Sequence, residues 1–68
     1  MTVIINGEVV EIRERLSLAE LLWRNGVAPD QKGFAVALND EVITKSRWKD
    51  VLLQDGDRLE IIRATQGG

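Results

Sequence analysis

The sequence has 68 residues, which suffice for one small domain, and a chain of this length buries only about 60% of the surface that it exposes when unfolded. Because it contains no cysteine and no histidine, it excludes disulfide bridges, a thiolate or imidazole catalyst and the usual zinc ligands. Nine basic and eleven acidic residues give a net charge of −2, and no lysine- and arginine-rich cluster is present to bind nucleic acid.

The opening of the chain predicts a β-hairpin. Asn6-Gly7 separates the apolar runs TVII and EVVEI, and this dipeptide is typical of two-residue hairpin turns because both residues tolerate a positive φ. Period-two alternation then assigns the apolar side chains to the two faces of the hairpin. The residues predicted on the core face are Val3, Ile5, Val10 and Ile12, and those on the other face are Ile4 and Val9.

A short helix is predicted from Leu18 to Asn25. The segment Ser17-Leu18-Ala19-Glu20 has the pattern of a capping box, in which the serine and the glutamate each satisfy a backbone group of the first turn. Gly26 suits the left-handed residue that follows a helix. The core-facing stripe follows the i, i+3, i+4 spacing and consists of Leu18, Leu21 and Leu22.

The second half of the chain predicts three more strands, at 34–38, 41–43 and 58–64. The last of them places Leu59 and Ile61 inward and Ile62 outward. Between the strands, KSRWKDVLL predicts a helical turn or loop that returns Trp48 to the core, whereas Trp23 is expected to be partly buried at the helix end. The segment QDGD is short of ligands for a calcium loop, so a turn is favoured, and no metal site is predicted.

The order β-β-α-β-β-β predicts an α+β fold. One helix must cover the apolar face of a mixed sheet of four or five strands, which is the ubiquitin-like β-grasp arrangement. In that arrangement the last strand lies beside the first, in the middle of the sheet. We therefore predict a single domain over residues 1–68, with residues 65–68 as a flexible tail.

No signal peptide is predicted, because MTVIINGEVVEIRE lacks a basic region followed by a long apolar run. Apolar runs also fall short of the roughly 20 residues that span a bilayer. The lack of disulfides in so small a domain favours a reducing compartment. We expect a cytoplasmic domain with protein partners, and neither a nucleic-acid nor a membrane partner.

The sequence ends in ATQGG, which permits three interpretations: a frayed terminus, a linker remnant or a reactive tail. No pattern within the predicted fold resembles a catalytic site. Glycine lacks a Cβ atom, so Gly67 and Gly68 would pass through a narrow channel of a partner enzyme. We predict that the Gly68 carboxylate reacts, that Thr65, Gln66 and Gly67 thread the channel, and that Ile4 and Ile62 lie side by side as a docking patch.

The whole chain resembles the ThiS family, within the ThiS/MoaD ubiquitin-like proteins. The resemblance is carried by the Asn-Gly turn and by the segments LAELL, VALNDEVI, LQDGDRLEIIRA and the final Gly-Gly. It implies a sulfur carrier of thiamine biosynthesis that is a co-substrate of other enzymes and is not itself an enzyme.

The resemblance also implies three partners. A ThiF-like adenylating enzyme would consume ATP to form a glycyl adenylate at Gly68, and a persulfide sulfur donor would convert it to a thiocarboxylate (1-thioglycine). A ThiG-like thiazole synthase would then take the sulfur. No cofactor bound by the chain itself is implied.

Two alternatives remain at the level of sequence. The MoaD-like small subunit of molybdopterin synthase has the same fold and thiocarboxylate, but its members tend to be longer and to carry a bulky or proline-containing segment before the glycines, which IIRATQGG lacks. Thr44 and Lys45 stand where the ThiS family often has a proline and an arginine. A non-catalytic ubiquitin-like binding or modifier module would keep the core without requiring Gly68.

Overall fold

The computed structural model describes residues 1–64, and within this range the chain forms five strands, one α-helix and one 3₁₀-helix. The strands are β1 (Thr2–Ile5), β2 (Glu8–Glu11), β3 (Phe34–Leu38), β4 (Glu41–Val42) and β5 (Arg58–Arg63). The helices are α1 (Leu18–Arg24) and the 3₁₀ segment Lys45–Asp50. This element order confirms the predicted α+β fold. No helix among these residues is long and apolar enough to cross a bilayer.

β1 and β2 form the predicted hairpin. Asn6 and Gly7 both have a positive φ, at 50° and 81°, as a tight two-residue hairpin turn requires. Val3 pairs with Val10, so the register is the one that alternation predicts. Ile12 lies one residue beyond β2 but is still buried, and its N–H donates to the Met1 carbonyl at 2.7 Å.

The final strand lies at the centre of the sheet, as predicted. The strand order is β2-β1-β5-β3-β4, with β5 parallel to β1 and antiparallel to β3. Leu59 of β5 pairs with Ile5 on one side and with Leu38 on the other. The chain therefore leaves the sheet from an interior strand, which pairs with β1 at Arg58 and Leu59 and with β3 from Leu59 to Arg63.

The helix begins with the predicted capping box. The Ser17 hydroxyl accepts the Glu20 N–H at 3.1 Å, and the Ser17 N–H donates to the Glu20 carboxylate at 3.3 Å. The helix ends at Arg24, one residue earlier than predicted, because Asn25 has left helical geometry and caps the last turn. Gly26 follows with φ 82°, the left-handed conformation expected there.

One hydrophobic core lies between α1 and the sheet. It includes Val3, Ile5 and Leu59 from the strands, and the three predicted leucines of α1. Ile61 is half-buried and packs against the edge of this core. The remaining buried apolar residues are Ile12, Leu16, Val27, Val36, Ile43, Trp48 and Leu53.

The two tryptophans have opposite environments. Trp48 is 1% exposed and its indole N–H donates to the Ile43 carbonyl at 2.9 Å, which confirms its predicted place in the core. Trp23 is 69% exposed, so the partly buried position predicted for it is wrong. At about 100° per residue, Trp23 lies roughly 140° from Leu18 around the helix and faces away from the sheet.

Two strands end one residue earlier than predicted. β4 ends at Val42, although Ile43 is buried and still donates its N–H to the Val36 carbonyl at 2.9 Å. β5 ends at Arg63, and Ala64 is the last residue that the structure describes.

Candidate functional site: the tail exit and the open sheet face

The structure describes the chain up to the residue that precedes the predicted reactive tail. Gly68 and the threading residues Thr65, Gln66 and Gly67 lie outside the described residues. The described part of the site is therefore the end of β5, from which the tail leaves, and the sheet face beside it. Four residues follow Ala64, and four fully extended residues span at most about 14 Å.

The exit point is held firmly on its β3 side. Arg63 pairs with Phe34, and the Ala64 N–H donates to the Gly33 carbonyl at 2.6 Å. The Arg63 guanidinium also lies over the Phe34 ring, 5.1 Å from its centroid, within the range of a cation–π contact. These contacts hold the chain against β3 as far as Ala64, where the tail begins.

Next to the exit, the open face of the sheet carries exposed apolar side chains. Ile62 points away from the core, as predicted, and is 52% exposed. Its cross-strand partner is Ala35, and two residues along β3 Ala37 pairs with Val42, which is 68% exposed. We call Ala35, Ala37, Val42 and Ile62 the apolar strip. Because exposed apolar patches often occur at interaction sites, the apolar strip is the candidate docking surface.

The predicted adjacency of Ile4 and Ile62 is wrong. Both lie on the open face, but Ile4 pairs with Arg58, and Ile62 is four residues farther along β5, a separation of about 13 Å. Ile4 instead pairs with the exposed Val9 of β2. The docking surface predicted from these two residues is thus divided into an apolar strip at the tail exit and a second apolar pair at the far edge.

Charged side chains of β5 separate the two apolar areas. Arg58 and Glu60 alternate with the buried positions and so share the open face with Ile62. The Arg58 guanidinium donates to the Asp40 carboxylate at 2.9 Å, and this hydrogen bond raises the pKa of Arg58. The apolar strip therefore borders the Arg58–Asp40 ion pair at the end away from the tail.

The two aspartates of QDGD serve the turn before β5. Asp57 accepts the Gln54 N–H at 2.7 Å, and Asp55 accepts the Thr2 N–H at 2.7 Å. Both carboxylates are thus bound to backbone donors, and the predicted turn is confirmed. Among residues 1–64 no group of three or more acidic side chains is arranged to hold a metal ion.

Comparison with known proteins shows which family this chain belongs to. The model of the ThiS family matches residues 3–68, which is nearly the whole chain. The chain belongs to the ThiS family. The ThiS match includes both the open sheet face and the final Gly-Gly.

Relatives of known name agree with this family. The sulfur carrier protein ThiS of Thermus thermophilus is 39% identical over 64 residues, which is 94% of this chain and 95% of that protein. A thiazole synthase of Paramagnetospirillum magneticum is 37% identical over 68 residues, which is all of this chain. The chain spans only 20% of the length of that synthase, so one segment of the larger protein resembles it.

A solved structure of the family has the same fold. The crystal structure of the thiamine biosynthesis protein ThiS from Geobacter metallireducens superposes with a TM-score of 0.81 at 30% identity and covers the whole of both chains. The five-stranded sheet with its helix is therefore the ubiquitin-like β-grasp of the ThiS family.

Proposed function

We propose that this chain is a sulfur carrier protein of thiamine biosynthesis that carries sulfur on the carboxylate of Gly68. The supporting observation is the family match, which runs from residue 3 through Gly68 and so includes the predicted tail. The Thermus thermophilus relative, matched over nearly all of its length, is named a sulfur carrier protein.

The proposed chemistry starts from an unreactive carboxylate. A ThiF-like adenylating enzyme transfers AMP from ATP to the Gly68 carboxylate, with release of pyrophosphate. The terminal sulfur of a persulfide donor attacks the acyl carbon and AMP leaves. A thiol then cleaves the S–S bond of the acyl disulfide, which leaves a thiocarboxylate and a new disulfide.

The chain's own residues suit a carrier whose chemistry is supplied by partners. With no cysteine or histidine in the sequence, the chain offers neither a thiol nor an imidazole. It acts as a co-substrate, and ATP is bound by the adenylating partner. We place these reactions in the cytoplasm, where a chain without disulfides meets reducing conditions.

The structure around the end of β5 supports a role in presenting the tail to a partner enzyme. β5 begins between β1 and β3 and stays paired with β3 as far as Arg63, and the Ala64 N–H that follows donates to the Gly33 carbonyl. A partner that binds the apolar strip would receive four residues with a reach of about 14 Å. The two glycines without Cβ atoms would pass where larger residues would not.

We propose a ThiG-like thiazole synthase as the sulfur acceptor, since a segment of a protein with that name resembles the whole of this chain. The test is to load the chain with sulfur and to mix it with thiazole synthase or with the large subunit of molybdopterin synthase, each supplied with its own sulfur-accepting substrates. Intact-mass spectrometry is expected to show loss of sulfur with the first only. Loss with the second only would place the chain in the molybdopterin pathway, and failure to load any sulfur would indicate a binding module.

Ile62→Glu is expected to weaken binding of the adenylating enzyme and to leave the domain folded. The substitution places a charge in the middle of an apolar contact, while the Ile62 side chain is not part of the core. A drop in affinity of at least tenfold by calorimetric titration is expected, because a buried unpaired charge costs several kcal/mol.

Trp23→Glu is the matched control for this docking prediction. The Trp23 side chain is more exposed than that of Ile62, but Trp23 belongs to α1, on the other side of the sheet. Its replacement is expected to leave the affinity unchanged. Equal affinities of the parent and the Ile62→Glu variant would show that the enzyme does not use the apolar strip.

A further inference from the structure

β5 continues beyond the end of the strand that supports it on one side. β1 ends at Ile5, which pairs with Leu59, whereas β5 runs on to Arg63. The parallel pairing is made by the Ile4 N–H, which donates to the Asp57 carbonyl at 2.9 Å, and by the Asn6 N–H, which donates to the Leu59 carbonyl at 2.8 Å. The last part of β5 thus has no strand beside it on the β1 side within the described sheet.

A side chain supplies the next hydrogen bond in this series. The chain turns into the hairpin at Asn6, whose φ is 50°. The Asn6 Oδ1 atom accepts the Ile61 N–H at 2.8 Å. In a continuing parallel strand, a backbone carbonyl would accept that N–H. The Asn6 amide therefore extends the β1–β5 pairing by one hydrogen bond, at a point three residues before Ala64.

Asn39 offers a comparison at the other end of β5. It also occupies a hairpin turn with a positive φ of 51°, and its Oδ1 atom accepts the Arg58 N–H at 2.9 Å. Asn39 thus makes the same kind of bond to the start of β5, six residues from Ala64. The two asparagines hold the two ends of the central strand, and Asn6 holds the end from which the tail leaves.

We propose that Asn6 is a positioning residue for the reactive tail. Its side-chain carbonyl holds β5 at Ile61, on the side where β1 has ended, and so fixes the direction of the chain up to Ala64, from which the tail continues. This inference rests on the proposed function, since it concerns delivery of Gly68 to the adenylating enzyme. Because misplacement of a reacting group by about 1 Å can cost on the order of 10²-fold in rate, the direction of so short a tail affects catalysis.

The test compares three substitutions in the full chain. Asn6→Gly keeps the positive φ of the turn and removes the acceptor, whereas Asn6→Asp keeps an acceptor oxygen and tolerates the same φ. Asn39→Gly removes the corresponding acceptor at the far end of β5. Amide hydrogen exchange by NMR is measured first, and then the rate of thiocarboxylate formation with ATP, the adenylating enzyme and a persulfide donor.

Loss of one hydrogen bond changes a local equilibrium by roughly fivefold. We expect the Ile61 amide of Asn6→Gly to exchange about fivefold faster, and kcat for thiocarboxylate formation to fall about fivefold with KM for the carrier unchanged. Asn6→Asp is expected to restore both values. Asn39→Gly is expected to speed exchange at Arg58 and to leave kcat as in the parent.

Equal kcat values for the parent and Asn6→Gly, or an equal fall in both glycine variants, would overturn the positioning role. Failure of the proposed function would be seen separately, as absence of sulfur on the parent chain itself.

Discussion

Removal of Gly68 is expected to lower the rate of thiocarboxylate formation by on the order of 10²-fold or more. The deletion moves the terminal carboxylate back by about 3.5 Å, and a shift of even 1 Å from the reactive geometry can cost about 10²-fold. Addition of one alanine after Gly68 is expected to be as damaging, because it moves the carboxylate too far and adds a Cβ atom at the end of the chain. The rate is measured by intact-mass spectrometry with the partner enzymes and ATP.

The two tail variants have an internal control in their stability. Neither change alters residues 1–64, which contain the core and the sheet, so both variants are expected to melt at the temperature of the parent. If the variant with the added alanine gains sulfur at the normal rate, the tail is not the reacting part, and a non-catalytic binding module explains the chain better.

Leu21→Ala is expected to reduce the free energy of unfolding by about 2–5 kcal/mol. Leu21 is 3% exposed and lies in the core beneath the sheet, so its truncation leaves a cavity that a single helix cannot close. At 0.05–0.15 kcal/mol per residue, a domain of this size has a total stability of roughly 3–10 kcal/mol. The variant is therefore expected to be partly unfolded at moderate temperature, which urea denaturation followed by circular dichroism would measure.

Leu52→Ala provides the matched control for the core. It makes the same chemical change at a leucine that is 60% exposed, so the expected change in unfolding free energy is below about 0.5 kcal/mol. Similar destabilisation by the two substitutions would contradict the assignment of Leu21 to the core.

The features that the sequence predicted correctly are those decided by neighbouring residues. The Asn6-Gly7 turn and the Ser17 capping box each depend on residues within four positions of one another, and both form as expected. Alternation likewise predicted that Leu59 points inward and Ile62 outward. The order of elements indicated the β-grasp arrangement, and the central position of β5 was predicted from that arrangement.

The features that the sequence did not predict depend on contacts between distant residues. Alternation assigns Ile4 and Ile62 to the same face, but only the parallel register shows that Ile4 lies opposite Arg58. The bond from Ile61 to the Asn6 side chain joins residues 55 positions apart, and the apolar strip needs the pairing of Ala37 with Val42. One feature of the sequence did point to the apolar strip. Ala35, Ala37 and Val42 are outward-facing apolar residues, whereas a solvated sheet face is more often polar.

The site of sulfur attachment is the measurement that decides the proposed function. The chain is incubated with ATP, a ThiF-like adenylating enzyme and a persulfide donor, and the product is fragmented in a mass spectrometer. We predict that one oxygen is exchanged for sulfur and that the change is confined to fragments that contain the carboxylate of Gly68. Sulfur at any other residue, or an unchanged mass under conditions in which a known ThiS carrier is loaded, would contradict the proposal.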